Sequence, residues 1–278
     1  MRVILSVMLL FLLIISNAYG MKVPKVNLHV SQDEYAISFL PVQKGEVAVL
    51  HLASGDHYMI NTGSFKDRNQ LYYYFNQLHI DNIKGLIITE KSEVDERMIA
   101  ELVEKFSIEE IVVGKSLEPD MPTLVSRIVH PVQEDQTYTF SDELSMRVVH
   151  DGNERREGLD FSITFFHHRF LWMSSQSSHS EGVLLSKSLK NVNIVKIPVH
   201  SKSESMSQRL LEHVDPQTAI LYRSKERLLN GDMLEAINEE WIDLYLTGQH
   251  GLIAVKFNKR NYEVLTFDQG DGVFKEEE

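Results

Sequence analysis

The 278-residue chain contains no cysteine, which excludes thiolate catalysis, cysteine-ligated zinc, disulfide staples and dithiol redox chemistry together. A chain of this length can bury enough apolar surface to fold without disulfides. Basic residues are also scarce, with 28 Lys and Arg against 40 Asp and Glu and a formal net charge of −12. A phosphate backbone is normally met by a basic face, so this balance argues against nucleic acid as a partner. With 7 prolines and 14 glycines, no low-complexity linker divides the chain. Nor does any apolar run reach the ~20 residues that span a bilayer.

What is present begins with a stretch that reads as an export signal. Arg2 precedes an apolar run from Val3 to Ile15, and Ala18 and Gly20 place small residues before a cleavage point. No cysteine follows, so a lipid anchor is excluded. The expected organisation is a signal at 1–20, a connector at 21–33, a single domain at 34–270 and an acidic tail at 271–278. The protein is expected to be secreted or extracytoplasmic, and to touch a membrane only if the signal stays uncleaved.

From Glu34 the pattern is meandering strands followed by β-α-β, twice. EYAISFLPV, EVAVLHL and HYMIN alternate as strands between turn signals. Leu71, Tyr74, Phe75 and Leu78 have helical spacing within Asp67–His79, which places Tyr74 in the core and Tyr72 and Tyr73 over its margins. Gly85–Ile88 and Ile111–Val113 are short, wholly apolar strands flanking a helix from Val94 to Phe106. Residues 120–142 read as irregular, His167-His168 as exposed turn residues, and Ser174–Ser180 as a lid or a plain loop. Further strands fall at Ile194–Ile197, Thr218–Leu221, Asp243–Leu246, Leu252–Phe257 and Tyr262–Phe267, with a helix over Ser207–Val214 entered through a Ser205-x-x-Gln208 capping box. Two mixed sheets packed face to face, with helices outside, accommodate this order.

Five segments then resemble, in order, the metallo-β-lactamase fold, and within it the hydrolase-like domain of ComEC-type competence proteins. Phe39–Val47 (FLPVQKGEV) is similar to that family's FLDVGQGDA, and Ile60-Asn61-Thr62-Gly63 to IDTG. LIITEKSEVDE stands where a strand ends in THPHADH, and Ser174-Ser175-Gln176 where TGD stands. Lys196–Pro216 (KIPVHSKSESMSQRLLEHVDP) matches KVGHHGSKTSTSEEFLEAVKP without a gap. The resemblance implies an αββα sandwich of two mixed sheets with helices outside.

In that family the histidine-rich loop, the TGD aspartate and a histidine of HHGS hold one or two zinc or manganese ions. Here the three loop-ligand positions carry Glu90, Ser92 and Asp95, and the loop aspartate is Val94. Gln176 replaces the bridging aspartate, Val199 replaces the first HHGS histidine, and only His200 survives. Asn61 replaces the supporting aspartate, and Pro41 the acidic residue of FLDV. Zinc takes about four His, Cys or carboxylate donors, and Lys91 and Lys202 would add positive charge nearby. The residues therefore argue against zinc or manganese, and no cofactor is expected. Clustered Glu90, Glu93, Asp95 and Glu96 leave calcium or magnesium as an alternative to plain helix capping, with Ser92-x-x-Asp95 as a capping box. No Gly-x-Ser-x-Gly elbow presents Ser174 or Ser175 to His200 as a nucleophile.

The resemblance and the residues together imply a non-catalytic binding or regulatory module, a pseudoenzyme. Its cleft would be lined by Asn61, Thr62, Glu90, Ser92, Asp95, Gln176, His200 and Lys202, and its partner would be a polar ligand or an envelope protein. The alternative is a metal-dependent phosphodiesterase or esterase with a remodelled site around Glu90, Asp95 and His200.

Overall fold

The computed structural model describes residues 26, 28–152, 154, 156–198, 206–222 and 231–267; the expected signal, the acidic tail, His200, Lys202 and Ser205 lie outside them. The strands are β1 (Tyr35–Phe39), β2 (Ala48–His51), β3 (His57–Ile60), β4 (Gly85–Ile88), β5 (Glu110–Gly114), β6 (Val129–Val132), β7 (Thr137–Ser141), β8 (Leu144–Asp151), β9 (Leu159–Phe165), β10 (His168–Trp172), β11 (Val192–Ile197), β12 (Thr218–Leu221), β13 (Asp243–Leu246), β14 (Leu252–Phe257) and β15 (Tyr262–Phe267). They form an eight-stranded sheet, β15-β14-β1-β2-β3-β4-β5-β6, and a seven-stranded sheet, β13-β12-β11-β10-β9-β8-β7. Each is mixed. The first is antiparallel from β15 to β3 and parallel from β3 to β6, while the second is antiparallel from β7 to β10 and parallel from β10 to β13.

The two-residue period of a strand divides its side chains between two cores. In β1, Ile37 and Phe39 face the second sheet, where Trp172, Phe161, Phe165 and Phe170 also point. Ala36 and Leu40 face outward, onto the helices α1 (Arg68–Gln77) and α2 (Glu96–Phe106). Ile87 in β4 and Val112 in β5 face inward, with their neighbours Leu86, Ile88, Ile111 and Val113 under the helices. Because both faces are covered, these parallel strands have no polar face to show. The far side of the second sheet is covered by α3 (Ser178–Ser186), α4 (Gln208–Val214) and α5 (Gly231–Glu239) through Leu184, Leu210, Leu211, Met233 and Ile237. The result is the four-layer αββα arrangement.

Several expectations change. Residues 120–142 carry β6 and β7, hidden in the sequence because β6 contains Pro131 and β7 exposes alternating threonines at a sheet edge. The serine-rich stretch is half-buried and opens α3: Ser177 caps it, with Ser180 completing a capping box. At α4 the capping side chain is Ser207, accepting from the Leu210 N–H at 3.1 Å. His168 is buried at the start of β10, with Nε2 3.2 Å from the Asn258 carbonyl, and only His167 is exposed. The segment read as a connector contributes to the core, since Val26 and Leu28 are buried among the residues under α1 and α2. Leu28→Ala is therefore expected to cost about 2 kcal/mol or more in urea unfolding, as a truncated core leucine does. A change near zero would place this segment outside the folded unit.

Candidate functional site

A cleft of about 670 Å³ opens where β4 and β5 end, opposite the β8–β9 connection. Glu90, Lys91 and Ser92 line it from beyond β4, Gly114 and Ser116 from the end of β5, and Asp151, Glu154, Arg156, Glu157 and Gly158 from the second sheet. Asp151 joins the two sides, accepting from the Ser116 Oγ at 2.6 Å and the Ser116 N–H at 3.1 Å. At the back, Leu159 donates its N–H to the Thr89 carbonyl at 2.7 Å. A Cβ on Gly158 would stand 2.5 Å from that carbonyl, so only glycine permits this approach. Lys91 pairs with Asp120 at 2.6 Å on the exposed rim.

The residues singled out from the sequence divide into three groups. Glu90 and Ser92 line the cleft. Asn61, Thr62 and Asp95 hold its frame. Asn61 is fully buried in the left-handed region at φ 58°, which asparagine tolerates better than most residues. Its Nδ2 donates to Thr89 Oγ1 at 3.0 Å, and its Oδ1 accepts the Thr89 N–H at 2.9 Å. Thr62 donates its hydroxyl to the Gly63 carbonyl at 2.9 Å. Asp95, not Ser92, caps α2. One carboxylate oxygen accepts the Met98 N–H at 3.1 Å and the other the Phe65 N–H at 3.0 Å. Gln176 faces a second, smaller pocket of about 110 Å³.

A metal of the kind the resemblance implies does not fit these residues. Both oxygens of Asp95 are taken by backbone N–H groups, Ser92 offers only a hydroxyl, and Glu93 turns inward, away from Glu96 on the surface. Among the described residues no three His, Cys, Asp or Glu side chains are placed to hold an ion, so the calcium alternative lacks a ligand set there as well.

A buried charged group not expected from the sequence lies behind the turn that carries Glu90 to Glu93. Lys196 on β11 is fully buried between the sheets, pairs with Glu46, and donates to the Met173 carbonyl at 3.0 Å. Its Nζ stands 4.7 Å from the centre of the Trp172 ring. Tyr222 donates its hydroxyl to the Val47 carbonyl beside it. Glu93 completes the group, its Oε2 3.4 Å from the Glu46 N–H. Gly45, at φ 77°, makes room for it, since a Cβ there would be 2.8 Å from that oxygen. The signal was present in the sequence: a lysine at the inward position of an apolar strand requires a buried acidic partner.

Between the cleft and the smaller pocket stands a polar wall. Asp160, fully buried, accepts the Ser174 and Ser175 N–H groups at 2.6 and 2.9 Å through Oδ1, and burial pushes its carboxyl above the usual range despite those bonds. Ser177 donates to Glu157, and His150 Nε2 lies 3.7 Å from the other oxygen of that carboxylate.

The Glu93 carboxyl, ordinarily at 4.5, is pushed up to about 8, first by burial and then by the charges of Glu46 and Glu90. It keeps its proton in the fold over a range where the unfolded chain has lost it. Its contribution is therefore fully present below pH 4.5 and is lost as pH rises to about 8. The melting temperature of wild type, measured against Glu93→Gln, is expected to fall by several degrees across that window, at ~2–4 °C per kcal/mol. Parallel curves would contradict this environment for Glu93.

No protein-family model matches the sequence, and no curated protein sequence matches it. Solved structures do match. They include the metallo-β-lactamase fold protein YhfI from Bacillus subtilis, at 11% identity over 77% of this chain and 96% of that one, with a TM-score of 0.53. A diphosphatase of the PhnP family gives 11% identity, 81% and 97% coverage and a TM-score of 0.54. A long-form RNase Z from yeast gives 8% identity, 83% and 49% coverage and a TM-score of 0.55, so the chain spans about half of that protein. Likeness at these identities carries the fold and nothing finer: the chain adopts the metallo-β-lactamase fold.

Proposed function

We propose that this chain is an exported, non-catalytic metallo-β-lactamase-fold domain that binds a polar ligand in the cleft between its two sheets. The observation that carries the reading is Asp95, a ligand position in the resemblance, with both oxygens engaged by backbone N–H groups. A carboxylate in that role caps a helix and is not a free donor. Asn61 supports the same reading, because its amide is closed on Thr89. The cleft nevertheless keeps about 670 Å³, within the usual range for a small-molecule site. Its lining offers hydroxyl, carboxylate, amine and guanidinium groups.

The alternative is a metal-dependent phosphodiesterase or esterase, and what favours it is the fold shared with a diphosphatase and an RNase Z. It would require Glu90 and Asp95 to leave their present partners and converge with His200.

Thermal-shift screening of polar metabolites against residues 21–278 separates the two. A compound at 100 times its Kd should stabilise the protein by about 2.7 kcal/mol. Ser92→Trp, at an exposed cleft position, should abolish that shift without altering the unliganded melting temperature. Metal-dependent turnover of bis(p-nitrophenyl) phosphate that disappears in Asp95→Asn would overturn the binding reading in favour of the hydrolase.

A further inference from the structure

Four buried side-chain atoms in the polar wall have no hydrogen-bond partner: His150 Nε2, Asp160 Oδ2, and both Nε2 and Oε1 of Gln176. His150 and Asp160 are almost completely enclosed. Buried polar atoms are rarely left unpaired, because desolvation without a partner is costly. The wall carrying them is thin. It is held by the Gln176 N–H on the Arg156 carbonyl at 2.7 Å, the Gly158 N–H on Ser175 Oγ at 3.0 Å, and the Ser177 hydroxyl on Glu157. Glu157 and Gly158 face the large cleft from one side, and Ser175, Gln176 and Ser177 face the 110 Å³ pocket from the other. Parting those contacts would join the two spaces.

Resting on the binding reading above, we propose that this wall is the recognition element of the cleft and that its ligand is a neutral polyhydroxylated molecule, a sugar or cyclic polyol. The unpaired set has mixed character. Gln176 Oε1 accepts, Gln176 Nε2 donates, and Asp160 Oδ2 and His150 Nε2 do either according to where their protons sit. An ammonium group only donates and would leave Gln176 Nε2 unmet. A phosphate mainly accepts and would meet the carboxylates of Glu157, Asp160 and Glu181 around the wall. Hydroxyl groups donate and accept from one atom, and adjacent hydroxyls on a ring would reach neighbouring members of such a set.

Ordered water has the same dual character, so the test must separate the two. Saturation-transfer NMR on residues 21–278 would use a mixture of mono- and disaccharides, alditols and inositols, with inorganic phosphate and spermidine as comparison probes. A polyol is expected to bind. Gln176→Leu and, independently, His150→Leu should weaken it about tenfold or more, the effect of leaving one hydrogen-bonding group unmatched. Gln176→Leu should leave the melting temperature unchanged, because it removes atoms that are unpaired in the free protein; His150→Leu also removes the approach of Nε2 to Glu157 at 3.7 Å, so its melting temperature is measured alongside its binding. Binding of no polyol, equal binding by wild type and both variants, or preference for phosphate or spermidine would overturn the inference, the first by leaving ordered water only. If polyols fail while another polar compound gives a shift lost in Ser92→Trp, the cleft reading stands and only this inference falls. If no compound does so, both fall.

Discussion

The ion pair between Lys196 and Glu46 is the constraint on which the site depends. Lys196 projects from the second sheet and Glu46 from the approach to β2 in the first, so their contact crosses the sandwich, beside the turn that carries Glu90 to Glu93. An amine with no solvent exposure must be matched, and breaking such a pair from one side strands the other charge at a cost of about 3–5 kcal/mol. The match draws in the surroundings. Glu93 is held beside Glu46, Gly45 adopts a left-handed turn to admit it, and the Trp172 ring lies against the amine. The turn carrying Glu93 also carries Glu90, Lys91 and Ser92 into the cleft, so the buried pair sets the position of one cleft wall.

Near this pair, residue types suited to holding metal make other bonds. Asp95 secures the start of α2 and the chain at Phe65, while Asn61 locks the end of β3 to Thr89. Three of these four bonds are to backbone N–H groups and the fourth is to the Thr89 hydroxyl, and together they remove the freedom a side chain needs to follow a ligand or an ion. Unpaired buried polar atoms lie instead in the wall between the two pockets, on His150, Asp160 and Gln176. Under the binding reading proposed above, such a site would recognise by hydrogen bonding and shape.

Much of the scaffold was legible in the sequence because its signals are local. Gly85–Ile88, Thr218–Leu221, Asp243–Leu246, Leu252–Phe257 and Tyr262–Phe267 stand as strands at the expected residues, each an apolar or alternating run between turn signals. β6 and β7 were not legible, because an edge strand needs neither two apolar faces nor freedom from proline. α3 was hidden by its serines, which read as loop until Ser177 and Ser180 are seen to cap one another. The site was legible only as positions along the chain. The resemblance placed Glu90 and Ser92 on the cleft loop, but Lys196 with Glu46, 150 residues apart, is a contact made by sheet packing, and no local pattern encodes it.

Elemental analysis tests the central claim most directly, on protein purified without chelator or affinity-tag metal and then incubated separately with zinc, manganese and calcium. Helix-capping use of Asp95 predicts no stoichiometric retention of any of the three. One equivalent of a single metal, lost in Asp95→Ala, would contradict it.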